Sequence, residues 1–343
     1  IVVIGTLPFG ARPFLAGLRG ALPRWSANNA NRALAPFLAV TLSLIFLRAL
    51  APITAWDSLV YHLTGPKLYL EAGRIHHDVD LMHLGLPQWG SMLFLWGMLI
   101  ASPQLAQLIH FTFALLTLAL ALGVTNRIAP GRGWLAAAIC LSVPTAALLA
   151  GWAYVEWMTM YCGLAAFVCF TAEIAESAEK EKRNSAVNLS LAAMAGVFTG
   201  LAFAAKYTAV GLALGLAALA MVWLRSGKGR LVFFLAAVLI VAPYLIKNAA
   251  LTGNPIYPFF FAGKYWDADR SLWHGQPGTG LNWIQLLAAP WDATVWGLEG
   301  AIVSGHPPYS ASLGPLLLIL VPLVMLDRRG LKDRVGLPLG GIL

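Results

Sequence analysis

An all-helical, polytopic membrane fold is predicted by three observations. Hydrophobic residues make up 59% of the 343 and charged residues only 11%, whereas a soluble domain is about 45–50% apolar and about 25% charged. Apolar runs repeatedly approach the roughly 20 residues that a bilayer-spanning helix needs. The period-two alternation of a barrel strand is absent. Composition thus excludes a soluble globular enzyme, a disordered chain and a collagen-like fibre, and 13 Trp exclude low complexity. The chain reads as one transmembrane domain, 1–343, with about eight complete spans.

The first span is 33–52. The first outer loop, 53–104, opens with WDSLVYH (56–62). Asp57 there is placed to cap a helix N-terminus, because its carboxylate can accept from free backbone N–H groups. Gly65-Pro66 interrupts that helix, Pro66 suits the first turn of the next, and Gly73 suits its C-cap. With Leu59, Val60, Leu63, Leu68, Tyr69 and Leu70 on one side, two amphipathic helices are expected to lie on the membrane surface. Residues 88–101 are apolar but short, as in an interfacial or re-entrant helix. Spans follow at 105–125, 133–151 and 157–174. The run 187–224 is too long for one span, so it reads as a hairpin, 187–206 and 208–224, with Lys206 and Tyr207 at its tip. A further span is 231–247. The second outer loop, 248–310, is rich in Trp, Pro and Gly, and its indoles suit the membrane interface. The last complete span is 311–326. The chain begins and ends within apolar runs, as a fragment truncated at both ends would.

Sidedness follows from Lys and Arg. With 5–32 inside, alternation puts 16 of the 23 basic residues in inner loops, as the positive-inside rule requires. This accounts for the net charge of +8 without nucleic acid as a partner. Nine of 15 acids and six of seven histidines then fall outside, so chemistry belongs on the outer face. The three cysteines lie in apolar runs without metal-ligand spacing and read as buried free thiols. No phosphate-binding loop, dinucleotide fingerprint, zinc-protease helix or nucleophile elbow is present.

Asp57 is the leading candidate for chemistry. A carboxylate just beyond a span can serve as a base towards a hydroxyl, or hold a divalent metal. Tyr61 shares its helical face at i+4, and His62 follows. Glu156, in GWAYVEW (151–157), sits on a short turn between spans, where an acid is costly without a partner. Asp57 and Glu156 are expected to meet in one cavity, sharing a proton or a metal; no cofactor is otherwise indicated. Lys206 and Lys247 place cations at the depth of a lipid-linked phosphate, and Arg270 and His306 can serve the same anion. The run HHDVDLMH (76–83) offers nitrogen and oxygen ligands, but its spacing matches no standard metal site and a polar loop explains it equally.

These residues resemble a family. A span followed by WDSLVYHLTGPKLYLEAGRI, then an acid after WAYV, the hairpin GVFTGLAFAAKYT and KNAALTGNPIYPFF after a late span, is similar to the GT-C superfamily of membrane glycosyltransferases. The nearer likeness is to bacterial relatives of dolichyl-phosphate-mannose mannosyltransferases and aminoarabinose transferases. The order covers roughly 33–325. The resemblance implies a GT-C-like bundle in a bacterial inner or plasma membrane, with its active site on the outer face. It implies a polyprenyl-phosphate-linked sugar as donor and a lipid, glycan or protein as acceptor. Asp57 matches the family's catalytic acid, Glu156 the second acid, and Lys206 and Lys247 the phosphate-binding cations; Tyr61, His62, Arg270 and His306 would line the substrate. The implied reaction is an inverting displacement with Asp57 as base. Two departures stand out. The family's usual Asp-Glu pair is Asp57-Ser58 here, and no C-terminal soluble domain follows. A lipid or solute transporter or flippase, and an O-antigen ligase or polymerase, are the competing classes. A transporter predicts internal repeats and broken helices with ionisable groups near mid-bilayer; a ligase or polymerase would use residues such as Arg270, His274 and His306.

Overall fold

The computed structural model describes residues 29–183, 189–224, 226–261, 263–274 and 282–295, with Gly314 and Leu316. Among these residues the regular elements are helices and helical turns, with one isolated bridge, Gly263 to Trp266. The described parts of 45–117 and 149–276 form one compact unit; those of 1–44, 118–148 and 277–343 form another.

The helices are α1 (Asn29–Leu50), α2 (Thr64–Ala72), α3 (Trp89–Ile100), α4 (Pro103–Ile128), α5 (Gly133–Ser142), α6 (Pro144–Ala150), α7 (Glu156–Arg183), α8 (Leu189–Ala205), α9 (Val210–Trp223), α10 (Gly227–Thr252), α11 (Ala268–His274) and α12 (Trp283–Val295). Two of them, α4 and α10, are each 26 residues and apolar enough to cross a membrane, with mean hydropathy 2.0 and 2.2. Leu34–Leu50, Trp89–Ile100, Leu189–Ala205 and Tyr207–Trp223 are shorter apolar helices. In its described residues the chain is therefore all-helical, with the character of an integral membrane protein. Of the eight complete spans expected, the described residues carry two as single span-length apolar helices, or three if the bent pair α5–α6 is one span. The expected span 311–326 lies outside the described residues except for Gly314 and Leu316.

The expected span 133–151 is not one straight helix. It is two helices, α5 and α6, bent by 88°. Pro144 has no N–H to donate into α5 and its ring disfavours a helical residue before it; Val143 accordingly sits extended, with φ −75° and ψ 111°. The expected hairpin break is where the sequence placed it. Lys206 is extended, with φ −158° and ψ 139°, between α8 and α9.

The first loop also follows its sequence signals, with one exception. Pro66 lies in the first turn of α2, and Gly73 ends it in the left-handed region at φ 64°. Asp57, however, is no cap. It has helical dihedrals and makes no capping hydrogen bond, because its carboxylate is engaged by a side chain one turn on. The residues after it, Ser58–His62, form a π-helical turn.

In the unit built from 45–117 and 149–276, the tightest helix pair is α8 against α10. Ala192, Ala195, Gly196, Thr199 and Gly200 of α8 are buried. A Cβ at Gly196 would stand 2.2 Å from the Phe233 carbonyl oxygen, and one at Gly200 2.7 Å from that of Ala237. Two glycines four apart let the backbones touch, as small residues do in membrane helix pairs. Beneath the first loop, Leu63, Phe94, Ala106, Ala153, Val155, Met158 and Ala205 form one buried cluster. It ties the turn before α2, α3, α4, the 153–158 segment and the end of α8 to one another, and so fixes the residues that follow.

Candidate functional site

Asp57, Tyr61, Glu156 and Lys206 come together above this cluster. The Ser58 hydroxyl donates to the Ala153 carbonyl at 3.2 Å, and the Asp57 backbone N–H donates to the Tyr154 hydroxyl at 3.2 Å. These two bonds dock the Asp57 turn on the segment that leads into Glu156. The Tyr61 hydroxyl donates to Asp57 Oδ2 at 2.7 Å. Burial first, then the Asp57 bond and the charges of Asp57 and Glu156, push the Tyr61 phenol far above its ordinary range. Tyr61 therefore stays a proton donor and orients the carboxylate.

The partner that Glu156 requires is Lys206. Its Nζ lies 2.6 Å from Glu156 Oε1, with both side chains about one-third exposed or less at 31% and 27%. Glu156 Oε2 accepts the Val155 N–H at 3.1 Å. The turn before α7 is pinned from below by His110 of α4. The Trp157 N–H donates to His110 Nε2 at 3.1 Å, so Nδ1 carries the proton and donates to the Trp152 carbonyl at 2.7 Å. Tyr154, Ser58 and His110 were not singled out from the sequence. Tyr154 lay two residues from the noted acid, whereas His110 acts across 47 positions and no local pattern announces it.

His62 is buried behind Tyr61, 2% exposed. Its Nδ1 is 3.0 Å from the Ser91 hydroxyl, and Nε2 is buried without a partner. Its ring meets that of Tyr61 at 4.2 Å between centroids, and the His83 ring stacks on Tyr61 at 4.6 Å and 6°. Burial, and then nearby Lys206, His110 and His83, hold the His62 imidazole well below its usual pKa. A histidine kept neutral in the fold but free to protonate when unfolded lowers stability as pH falls below about 6.5, by up to about 1.4 kcal/mol per pH unit. Thermal unfolding in detergent between pH 7.5 and 5.5 (about one unit either side of that value) is expected to show this loss, and His62→Gln to reduce its slope. An unchanged slope in the variant would remove His62 as its source.

Lys247 occupies a separate place. It donates to the Leu84 carbonyl at 2.6 Å and to Gln88 Oε1 at 3.0 Å, and Gln88 also accepts from Tyr69 at 2.8 Å. Both acceptors of Lys247 are neutral, and among the described residues no carboxylate is paired with it. It lines an apolar cavity of about 360 Å³ with Trp89, Met92, Leu201, Ile240 and Tyr244.

Arg270 is not brought to Asp57. It grips Asp80 with both terminal nitrogens, at 2.6 and 2.8 Å. Asp78 of the same loop takes Arg74 at 2.5 Å and Lys264 at 3.5 Å, and these cations hold both carboxyls below their usual pKa. Asp78 and Asp80 thus clasp the loop after α2 to residues 264–270. Among the described residues no group of three or more His, Cys, Asp or Glu can hold a metal. At Asp57 and Glu156 the donor set does not fit one either, since Lys206 already neutralises Glu156. His306 lies outside the described residues. Of the three thiols, Cys162 and Cys169 are buried and Cys140 is half-buried.

Residues 158–276 match a family model described as a domain of unknown function (DUF8201). The match takes in Lys206, Lys247 and Arg270 and leaves out Asp57 and Glu156. No curated protein and no solved structure matches the chain.

The Glu156–Lys206 pair is testable by a double-mutant cycle. Glu156→Gln and Lys206→Met are each expected to destabilise the protein in detergent, and their coupling to be about 1 kcal/mol, the upper end for a partly exposed pair. Additive effects would show that the two side chains do not meet.

Proposed function

We propose that this chain is an integral membrane glycosyltransferase of the GT-C type, transferring a sugar from a polyprenyl-phosphate donor to an acceptor hydroxyl. The observation that carries the reading is a division of charge. One carboxylate, Asp57, is held by a phenol beside a neutralised Glu156–Lys206 pair. One ammonium, Lys247, stands without a counter-charge on the wall of an apolar cavity. The first suits a base and the second suits the phosphate of a lipid whose chain occupies apolar space. In this reading the shorter apolar helices are further spans, bringing the bundle towards eight. The Lys and Arg bias supports an outward-facing Asp57 side, and the membrane in this reading is a bacterial inner membrane.

The step is a displacement at the anomeric carbon. Asp57 takes the proton of the acceptor hydroxyl as its oxygen bonds to that carbon. The bond from the carbon to the phosphate oxygen breaks, and polyprenyl phosphate leaves with the electron pair. Lys247 meets the charge that gathers on the leaving phosphate. Lys206, paired with Glu156, positions that acid rather than binding the donor. No metal enters the step.

The bent pair α5–α6 is the one feature that a transporter would share, since broken helices line transporter sites. It bears no Asp, Glu, Lys, Arg or His from Gly133 to Ala150, so it supplies no charged side chain for an ion or an anionic solute.

The test is transfer from a panel of radiolabelled polyprenyl-phosphate sugars in membranes containing the protein. Transfer from at least one donor is expected, with Lys247→Gln raising the donor KM by about tenfold or more, as loss of one charge-assisted contact does. Membranes that hold folded protein and transfer no sugar would sink the glycosyltransferase reading. An unchanged donor KM in Lys247→Gln would keep the enzyme and move the phosphate elsewhere.

A further inference from the structure

Three consecutive phenylalanines face outward just past the end of α10. Phe259, Phe260 and Phe261 are 50%, 87% and 58% exposed. Apolar side chains on a helix inside a bilayer face lipid as a matter of course, but these lie beyond Gly253, the residue that caps α10. They are presented by a built scaffold. Asn254, 0% exposed, donates through Nδ2 to the carbonyls of Phe259 and Phe261 at 3.2 and 2.9 Å. Its Oδ1 accepts the Ile256 N–H at 3.0 Å. Between the two clamped carbonyls Phe260 sits at φ 64°, a conformation that costs a non-glycine residue of order 1 kcal/mol or more. The neighbouring Tyr257 is fully buried, with its ring against Gly85 and Gly263. The loop is thus fixed from within while its largest apolar side chains are turned out.

We infer that Phe259–Phe261 form a wedge that enters the interfacial layer of the bilayer beside the end of α10. Lipid is the occupant because α10 is long and apolar enough to cross a membrane. Its exposed residues Leu231, Leu235, Val238, Leu239 and Ile246 form an outward apolar stripe, and exposed Ala249 and Ala250 carry it towards the loop. Phe259 continues the apolar surface, its ring 5.2 Å from that of Tyr207 at the end of the neighbouring α8. Aromatic side chains at such a depth sit about 5–10 Å into the boundary of headgroups and acyl chains. The wedge would hold the second outer loop, and with it the Asp80–Arg270 clasp, at a set height over the membrane.

The test places a single cysteine at 260 (Phe260→Cys) in a protein whose three native cysteines are replaced by alanine. It is labelled with an environment-sensitive nitrobenzoxadiazole and reconstituted into phosphatidylcholine vesicles. Asp269→Cys, an exposed position on α11, serves as the aqueous control. The label at 260 is expected to emit at shorter wavelength, to lose emission to lipids spin-labelled near the headgroup end of the acyl chain, and to be shielded from iodide. The label at 269 is expected to lose emission to iodide. Iodide quenching at 260 equal to that at 269 would overturn the wedge and leave an open aromatic surface. Shielding from both quenchers would overturn it in favour of a protein covering. Because residue 260 is exposed, folding is not at risk; near-ultraviolet circular dichroism of Phe260→Ser, unlabelled, checks this.

Discussion

Asp57→Asn is expected to abolish measurable sugar transfer while leaving the fold intact. Removing a general base lowers a rate by about 10²–10⁴-fold, and nothing adjacent can replace it. Tyr61 is a donor with its phenol held far above its ordinary pKa, and Glu156 is neutralised by Lys206 at 2.6 Å. The fold survives for a specific reason. Asp57 docks on Tyr154 through its backbone N–H, which the substitution does not touch, and the asparagine carbonyl can still accept from Tyr61. A loss of transfer with an unchanged unfolding temperature therefore isolates chemistry from structure. Tyr61→Phe sharpens the comparison: it removes the oriented donor but keeps the base, so a smaller loss is expected, nearer tenfold as for one hydrogen bond. Transfer that persists in Asp57→Asn would exclude Asp57 as the base and turn attention to Glu156.

How far the site was legible depends on how local each signal was. Pro66 and Gly73 declared the bounds of α2, because a proline tolerates only the first turn and the left-handed cap favours glycine. Tyr61 was legible as a neighbour of Asp57, since i and i+4 meet on any helix. What could not be read was which of two partners the carboxylate would choose. A cap and a phenol competed for it, and the phenol is at 2.7 Å. The Glu156–Lys206 pair spans 50 positions. The sequence shows that Glu156 needs a partner, but only the packing of Ala205 into the cluster with Val155 and Met158 puts Lys206 within reach. The α5–α6 break failed differently. Pro144 was in plain view, but the run around it is uniformly apolar, and hydropathy cannot see a missing N–H.

Gly196→Leu is expected to unfold the protein, and Gly211→Ala to leave it unharmed or steady it. Both glycines lie in apolar helical runs that hydropathy treats alike. The difference lies in what a side chain would meet. At Gly196 a Cβ falls 2.2 Å from the Phe233 carbonyl oxygen and 3.0 Å from the Ala236 Cβ, so the obstacle is backbone and cannot swing aside. α8 and α10 must separate, and with them the contact at Gly200, where a Cβ would be 2.7 Å from the Ala237 oxygen. Overpacking a core costs about 1–3 kcal/mol where neighbours can adjust; here they cannot, so a loss of roughly 3 kcal/mol or more is expected. That is much of the stability of a typical protein. At Gly211, in the first turn of α9, nothing lies within 4 Å of an added Cβ, and alanine there gains about 0.5 kcal/mol or less, below the helix-interior value. Thermal unfolding and monodispersity in detergent decide the matter. Because Lys206 directly follows α8 and α10 carries Lys247, separating them also pulls the Glu156 partner away from the cavity cation. Partial-unfolding conditions should then erase sugar transfer before global unfolding is complete. A Gly196→Leu protein as stable as the parent would mean that α8 and α10 do not touch through this glycine face.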